Sequence, residues 1–537
     1  MKKQSFLKGS LLLAVSAAAA KLLGALFRIP LTSLLGGTGM GYFSCAYGLF
    51  LPLYAVLVTG LSTAVARPVA DFTGRGEHDA ARRVRTVARR FAWVTGLLGT
   101  VAAACLAVPF LQSTAASPEA LPAVLAITPS VLLCCLTAAE RGYCEGLCTM
   151  TPTALSQMLE ALTKLVCGLF LCKLWMTQPP AFLSGCSPEA AGACGAVLGV
   201  TLSTLAGYLC LALPCFGKRK SDAHACSSQI PTDRKLLRML LSILLPAALG
   251  ALVTNLTSLI DLVTMQRSFA RLLSEDAVLF YENTRLSAEI PPEEAVSFVY
   301  GAFMGLAVTV FNLVPSLTNM LAKSVLPCTA QAWAAGNRKQ AAHYTRQVLL
   351  LTGLAAIPAG CGIFALADGA LRFLFAGREP EIQAACSSLQ WLAPGVVFLC
   401  LAFPVFSLLQ AVGRADLPVK VMLPGAIVKL VGNLLLIPRF YAAGAAMSTT
   451  ICYAVILILA LAALRKVLGE PLHLGKLLSA QVYGSLMCAG SAWLCYTRTV
   501  YLIPQKIALL LAVAVGAAVY VGMLWLTAHR ELRTLIK

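Results

Sequence analysis

The chain has 537 residues, of which 58% are apolar and 12% charged, against roughly a quarter charged in an average soluble domain. That balance excludes a water-soluble globular protein, and apolar runs long enough to cross a bilayer recur from end to end. A net charge of +19, from 42 Lys+Arg against 23 Asp+Glu, points to nucleic acid or anionic lipid unless the charges are sorted by side of a membrane.

At the N-terminus, Lys2 and Lys3, an apolar stretch and Ala17-Ala18-Ala19 resemble a secretory signal with a small-residue cleavage site. The helical pattern continues through Lys21 to Arg28 and stops at Pro30. At about 1.5 Å per residue it can cross roughly 30 Å of hydrocarbon, so a retained first helix is expected. Apolar runs and their polar breaks then give fourteen expected spans: 7–30, 42–66, 91–112, 121–139, 153–174, 190–213, 239–265, 296–326, 348–367, 385–409, 421–438, 444–464, 477–496 and 507–527. The expected class is an all-α polytopic membrane protein.

Lys and Arg concentrate in short segments on the cytoplasmic side. With the N-terminus inside, the inward segments include Arg67 to Arg90 with seven Arg, Lys218 to Arg238 with six basic residues, and Asn337 to Arg346 with three and no acid. The longest outward segment, Gln266 to Ala295, has six acids and three Arg. The C-terminus, with Arg530, Arg533 and Lys537, returns to the inside. Most of the positive excess therefore fixes orientation, and no nucleic-acid partner is needed.

The cysteines lie mostly in apolar runs, as with Cys45, Cys105, Cys167, Cys400 and Cys452, where a free thiol behaves as a small hydrophobe. Cys134-Cys135 and Cys144 with Cys148 lack a second Cys or His pair for a zinc set, and no histidine lies in an apolar run. No metal and no cofactor is expected.

Internal similarity points to duplicated halves. Tyr47-Gly48-x-Phe50 is echoed by Tyr300-Gly301-x-Phe303, and Pro68, Gly76 and Ala80-Ala81 by Pro327, Gly336 and Ala341-Ala342. Gly142 is echoed by Gly413, and Lys164 by Lys429. Each offset corresponds to six spans. The expected organisation is an N-terminal lobe at 1–238, a C-terminal lobe at 239–476, and two additional spans in 477–537.

A charge at mid-bilayer costs about 2.5–3.5 kcal/mol on insertion scales, so such residues face a bundle interior, a watery cavity or one another. Lys21 and Arg28 are two turns apart on one face of the first span. Glu160 and Lys164 stand at i and i+4, the favourable order for a helical ion pair, with Gln157 one turn before. Span eight carries Asn312, Asn319 and Lys323 as one polar stripe interrupted by Pro315, span eleven Lys429 and Asn433, and span seven the isolated acid Asp261. Lys21, Arg28, Lys164, Lys323 and Lys429 against Glu160 and Asp261 make a cavity suited to anions. Intramembrane prolines, Pro129, Pro246, Pro315, Pro358, Pro394, Pro404 and Pro424, read as passive kinks before hinges.

Three segments carry a family resemblance: Lys21-Leu-Leu-Gly-Ala-Leu-Phe-Arg28-Ile-Pro-Leu; Arg141-Gly-Tyr-Cys-Glu-Gly through Thr151-Pro-Thr-Ala-Leu-Ser-Gln-Met-Leu-Glu160-Ala-Leu-Thr-Lys164; and Lys429-Leu-Val-Gly-Asn433-Leu-Leu-Leu-Ile-Pro-Arg-Phe with Gly444-Ala-Ala. Over nearly its whole length the chain resembles the stage V sporulation protein B and polysaccharide-exporter branch of the multidrug/oligosaccharidyl-lipid/polysaccharide (MOP) flippase superfamily. The resemblance implies two six-helix lobes around a central cavity with two further helices. It also implies transfer of a polyprenyl-pyrophosphate-linked saccharide from the inner to the outer leaflet of the bacterial cytoplasmic membrane, for peptidoglycan or another surface polymer. The lipid II flippases of the superfamily carry an Asp and an Arg in the second span, whereas Tyr42 to Ala66 here has no charge; their first-span basic pair maps onto Lys21 and Arg28. Expected partners are the lipid-linked saccharide, membrane lipids and cell-wall synthases, and the coupling ion is left open. The alternative is a cation-coupled multidrug antiporter of the same fold, relying on Glu160 or Asp261. An embedded enzyme is disfavoured, because no paired acids, metal set or nucleotide loop accompany the spans.

Overall fold

The computed structural model describes residues 6–213, 231–414, 416–469 and 474–536, and the side chains of Asn319 and Lys323 lie outside those described. Among the described residues there is no strand, and eleven helices are long and apolar enough to cross a membrane. The chain divides into two compact units, Met1–Val263 and Thr264–Lys537. This is a multi-pass, all-α membrane protein.

The first unit contains α1 (Phe6–Leu57), α2 (Leu61–Gly74), α3 (His78–Thr114), α4 (Leu121–Gly146), α5 (Met150–Thr177), α6 (Pro188–Ala212) and the N-terminal part of α7 (Asp233–Glu275). The rest of α7 opens the second unit. It continues with α8 (Ala277–Thr284), α9 (Pro292–Ala302), α10 (Val308–Ala334), α11 (Arg338–Ala365), α12 (Ala367–Leu374), α13 (Glu379–Ala411), α14 (Asp416–Leu468), α15 (Leu474–Thr499) and α16 (Gln505–Ile536).

Two helical runs each contain two expected spans. The α1 run breaks at Gly36, whose φ of 66° is open to glycine without steric cost. The Phe27 and Phe43 ring centroids are 6.4 Å apart, although 16 residues span about 24 Å in a straight helix. The chain therefore folds back at Gly36. In α14 the reversal falls at Tyr441, with φ 52°. Ser448 Oγ donates to the Lys429 carbonyl at 2.9 Å across 19 residues. A Cβ on Gly444 would stand 2.3 Å from the Leu436 carbonyl oxygen, so the reversal needs glycine there.

Small residues let helices approach closely where lipid supplies no hydrophobic drive between them. In α6, a Cβ on Gly199 would lie 2.3 Å from the Gly168 Cα of α5, and one on Gly195 2.6 Å from the Leu171 carbonyl. Gly142 and Gly146 of α4 press likewise on the Ser62 and Ala66 carbonyls of α2. Behind them, Val65, Val69, Val84, Ala88 and Leu136 form the first unit's core with Leu240 of α7. The second unit packs Leu349, Val405, Leu409, Ile456 and Leu464 from α11, α13 and α14. Val94, Leu97, Leu98 and Val101 along α3 are exposed, as befits a lipid-facing stripe.

Three expectations change. Span eight is not interrupted at Pro315, through which α10 runs continuously; the irregularity is a π-turn at Phe303–Ala307 joining α9 to α10. Span seven outlasts its expected end at 265: α7 continues to Glu275, and α8 follows within the segment expected to face outward, with Asp276 as N-cap, its carboxylate accepting from Leu279 N–H at 3.0 Å. The counterpart of Gly413 is Cys148, six residues beyond Gly142. Both residues have positive φ (79° and 55°), and both close turns with one hydrogen-bond pattern. Amide 147 bonds carbonyl 143, 148 bonds 145 and 149 bonds 144, just as 412 bonds 408, 413 bonds 410 and 414 bonds 409. The same correspondence joins Gly76 to Gly336, whose flanking amides 75, 76, 77 and 78 bond as do 335, 336, 337 and 338.

Candidate functional site

The first unit gathers its candidate residues on α1, α4 and α5. Glu140-Arg141-Gly142 lie in the last two turns of α4, and the close approach of Gly142 and Gly146 to α2 fixes where these two charges fall. Glu140 is 3% exposed and pairs with Arg85 of α3 at 2.6 Å. The next residue faces the other way: Arg141 Nη2 lies 2.7 Å from Glu160 Oε2 on α5. Ser156 Oγ accepts from Arg141 Nη2 and Nε at 2.8 and 3.3 Å and donates to the Gly207 carbonyl of α6 at 3.0 Å. Adjacent residues of α4 thus tie together α3, α4, α5 and α6.

The expected Glu160–Lys164 ion pair is not the one formed. Lys164 Nζ turns toward α1 and donates to Tyr47 Oη at 3.1 Å. It lies 5.1 Å from the Phe27 ring centroid and 5.5 Å from that of Tyr47, within cation–π range. Lys164 makes no ion pair among the described residues and is half-buried. Phe27 and Tyr47 come together because α1 reverses at Gly36, and Phe43 packs between them at 4.9 Å from Tyr47. Gln157, one turn before Glu160, is half-buried with its Oε1 unpartnered. On α1 itself Lys21 is exposed and Arg28 half-buried, the latter's carbonyl accepting from Thr32 Oγ1 at 2.9 Å. Asp261 of α7 is 8% exposed.

In the second unit Lys429 is 3% exposed, and Asn433, one turn on, is wholly buried and donates through Nδ2 to Thr264 Oγ1 at 2.7 Å. The expected stripe on α10 is not seen as such. Asn312 is exposed and its Nδ2 donates to the Val308 carbonyl of its own helix at 2.9 Å; Asn319 and Lys323 lie outside the described side chains.

Arg141, Tyr47 and Phe27 were not singled out from the sequence as site residues. Arg141 falls just beyond the expected span 121–139, where a cation reads as orienting charge. The Gly142-x-x-x-Gly146 spacing after it was the available signal that this end of α4 is packed against a neighbouring backbone.

The sequence matches the family described as polysaccharide biosynthesis protein over residues 6–333, well over half the chain, and the MatE family over residues 301–435. It is 24% identical over 432 residues to stage V sporulation protein B of Bacillus subtilis (strain 168), covering 80% of this chain and 77% of that one. It is 21% identical over 467 residues to the lipid II flippase MurJ of the same organism, covering 83% and 80%. Among solved structures, the lipid II flippase MurJ in an inward closed conformation superposes with a TM-score of 0.68 at 14% identity, covering 98% of this chain and all of that one. An inward-facing multidrug resistance MATE family transporter gives 0.61 at 16% identity, covering 82% and 95%. With that family match and the helical architecture of these relatives, the chain belongs to the polysaccharide biosynthesis protein family, in the stage V sporulation protein B-like branch of the MOP flippase superfamily.

Proposed function

We propose that the chain is a flippase that moves a polyprenyl-pyrophosphate-linked saccharide, a peptidoglycan precursor or polysaccharide repeat unit, across the bacterial cytoplasmic membrane by alternating access. The observation that carries this reading is Lys164: a half-buried ammonium in a membrane helix, bound to a phenol and two aromatic faces, with no carboxylate on it among the described residues. Charges at such a depth are costly unless function retains them. A diphosphate supplies the missing anion, accepting from Nζ and from the Tyr47 hydroxyl together. Lys21, Arg28, Lys323 and Lys429 are further diphosphate-contacting candidates, and Asn433 is a polar support. Both termini lie on the cytoplasmic side, as the basic start of α3 and the 218–238 segment favour. The product passes to synthases acting outside the membrane.

The test is translocation of a fluorescent lipid-linked saccharide in proteoliposomes. Lys164→Ala lowers the flipping rate about tenfold or more, the scale of one lost charge-assisted contact of about 1.5–3 kcal/mol, and Lys164→Arg keeps part of it. Wild-type flipping by Lys164→Ala refutes the assignment. The MATE-type antiporter reading relies on an acid in the spans. Arg141 holds Glu160, so the acid to test is Asp261, and efflux of a cationic dye that disappears in Asp261→Asn would favour that reading.

A further inference from the structure

Glu160 precedes Lys164 by four residues, the order in which a carboxylate and an ammonium pair best on one helix. Yet its Oε2 lies 2.7 Å from Arg141 Nη2, while Lys164 Nζ reaches away to Tyr47 Oη at 3.1 Å. One carboxylate is thus within reach of two cations, and the guanidinium takes it. The arrangement is braced: Ser156 Oγ accepts from two nitrogens of Arg141 and is itself anchored on the Gly207 carbonyl. Gly142 and Gly146 set the depth of Arg141 by backbone contact with α2. A planar fork held at two points outcompetes a flexible ammonium for one carboxylate. Without it, a half-buried carboxylate would be left one turn from an ammonium in a medium that penalises isolated charge, and pairing the two is the nearest relief.

We propose that Arg141 is a positioning residue which, by holding Glu160, keeps Lys164 an uncompensated cation for the substrate diphosphate. The assignment rests on the flippase reading and adds to it how the charge at Lys164 is preserved. It also gives a physical reason why Arg141, Ser156 and Glu160 occur together in one sequence segment: they make one device.

The test uses full-length protein in nanodiscs with 13C-methylated lysines, the Lys164 signal being assigned by its loss in Lys164→Arg. In Arg141→Gln the carboxylate moves to Lys164, and the Lys164 methyl resonance leaves its wild-type position. In Arg141→Gln/Glu160→Gln, which has no carboxylate left to move, it returns, and that return also shows that the loss of Arg141 has not merely impaired folding. An unmoved resonance in Arg141→Gln overturns the proposal, as does one that stays displaced in the double variant. In proteoliposomes, flipping of the labelled saccharide falls about tenfold in Arg141→Gln, the scale of one lost charged contact, and recovers in the double variant. A double variant no faster than the single one reduces Arg141 to a structural brace and overturns the proposal. Wild-type flipping by Lys164→Ala, by contrast, removes the substrate role of Lys164 whatever the resonance does, so the two failures are separable.

Discussion

Cys148 and Gly413 hold the same left-handed place in two turns 265 residues apart, with φ of 55° and 79°. Lys164 and Lys429 follow them by sixteen residues each, so the two lysines stand at matching places after matching turns. The likeness of the two segments is carried by turn geometry as well as by residue identity, since Gly76 and Gly336, 260 residues apart, also share one hydrogen-bond pattern. What surrounds the two lysines has diverged. Lys164 is half-buried against two aromatic rings, whereas Lys429 is buried on the first arm of α14, its own carbonyl accepting from Ser448 of the second arm.

The turn itself gives a stability prediction. A non-glycine residue in the left-handed region costs roughly 1 kcal/mol or more relative to glycine. Cys148→Gly relieves that strain at an exposed position, and the thermal midpoint in detergent rises slightly. Gly413→Ala introduces the same strain in the second unit and lowers it. Equal and opposite shifts would confirm that the turns are equivalent, and a fall in Cys148→Gly would contradict it.

At the α5–α6 crossing the prediction is larger. A methyl at Gly199 would stand 2.3 Å from Gly168 Cα, where the three nearest atoms are all backbone and none can rotate away. Gly199→Ala therefore forces the helices apart and costs about 1–3 kcal/mol, the range for overpacking. Because Lys164 lies one turn from Gly168 on α5, the displacement also slows flipping. A Gly24→Ala control on α1, where nothing lies within 4 Å of the added methyl, does not lower thermal stability, since alanine is the better helix former.

Helix α11 illustrates how an intramembrane proline is made static. Pro358 has no N–H for the Leu354 carbonyl, and Tyr520 of α16 donates to that carbonyl at 3.1 Å. One turn earlier, Gln481 of α15 donates to the Leu350 carbonyl at 3.2 Å. The α15–α16 pair thus satisfies the face of α11 that the proline disrupts. Tyr520→Phe should cost about 1 kcal/mol. In a Pro358→Ala background, where an N–H is restored to Leu354, the cost should shrink. A double-mutant cycle on thermal stability reads the coupling, and additivity would contradict the account.

Much of this was legible because lipid imposes a one-dimensional rule: apolar length. Most of the expected spans fall on helices, although 42–66 runs across the break at Val58–Gly60 between α1 and α2, and the turn glycines Gly76 and Gly413 stand at chain reversals. The folds at Gly36 and Tyr441 were legible only as polar breaks, since the helix continues almost to the reversal on either side. The partner of Glu160 was not legible. Local spacing favours Lys164, while the winning cation arrives from another helix, set by glycine contacts that exist only after α2 and α4 have packed. Of the expected stripe on α10, only Asn312 has a described side chain, and its amide is turned back onto its own backbone.

The ion pairs of α3 separate buried from exposed charge. Arg83 meets Asp233 at 2.7 Å with both side chains more than 40% exposed, and Arg90 shares the same carboxylate at 3.7 Å. Such pairs contribute about 0–1 kcal/mol and weaken with salt. Glu140 is different: 3% exposed, paired with Arg85 at 2.6 Å, with the guanidinium stacked 4.8 Å from the Tyr143 ring centroid. Removing Arg85 leaves a buried carboxylate without its cation, a loss of about 3–5 kcal/mol. Arg85→Ala is therefore expected to lower the thermal midpoint strongly, and Asp233→Asn hardly at all. Arg85→Ala/Glu140→Gln should recover part of the loss, because the uncompensated charge is gone. Raising the salt concentration should narrow the small Asp233→Asn effect and leave the Arg85→Ala effect standing. Equal effects of Arg85→Ala and Asp233→Asn would mean that water reaches Glu140, and that the α3–α4 junction is not the rigid base on which Arg141 is placed.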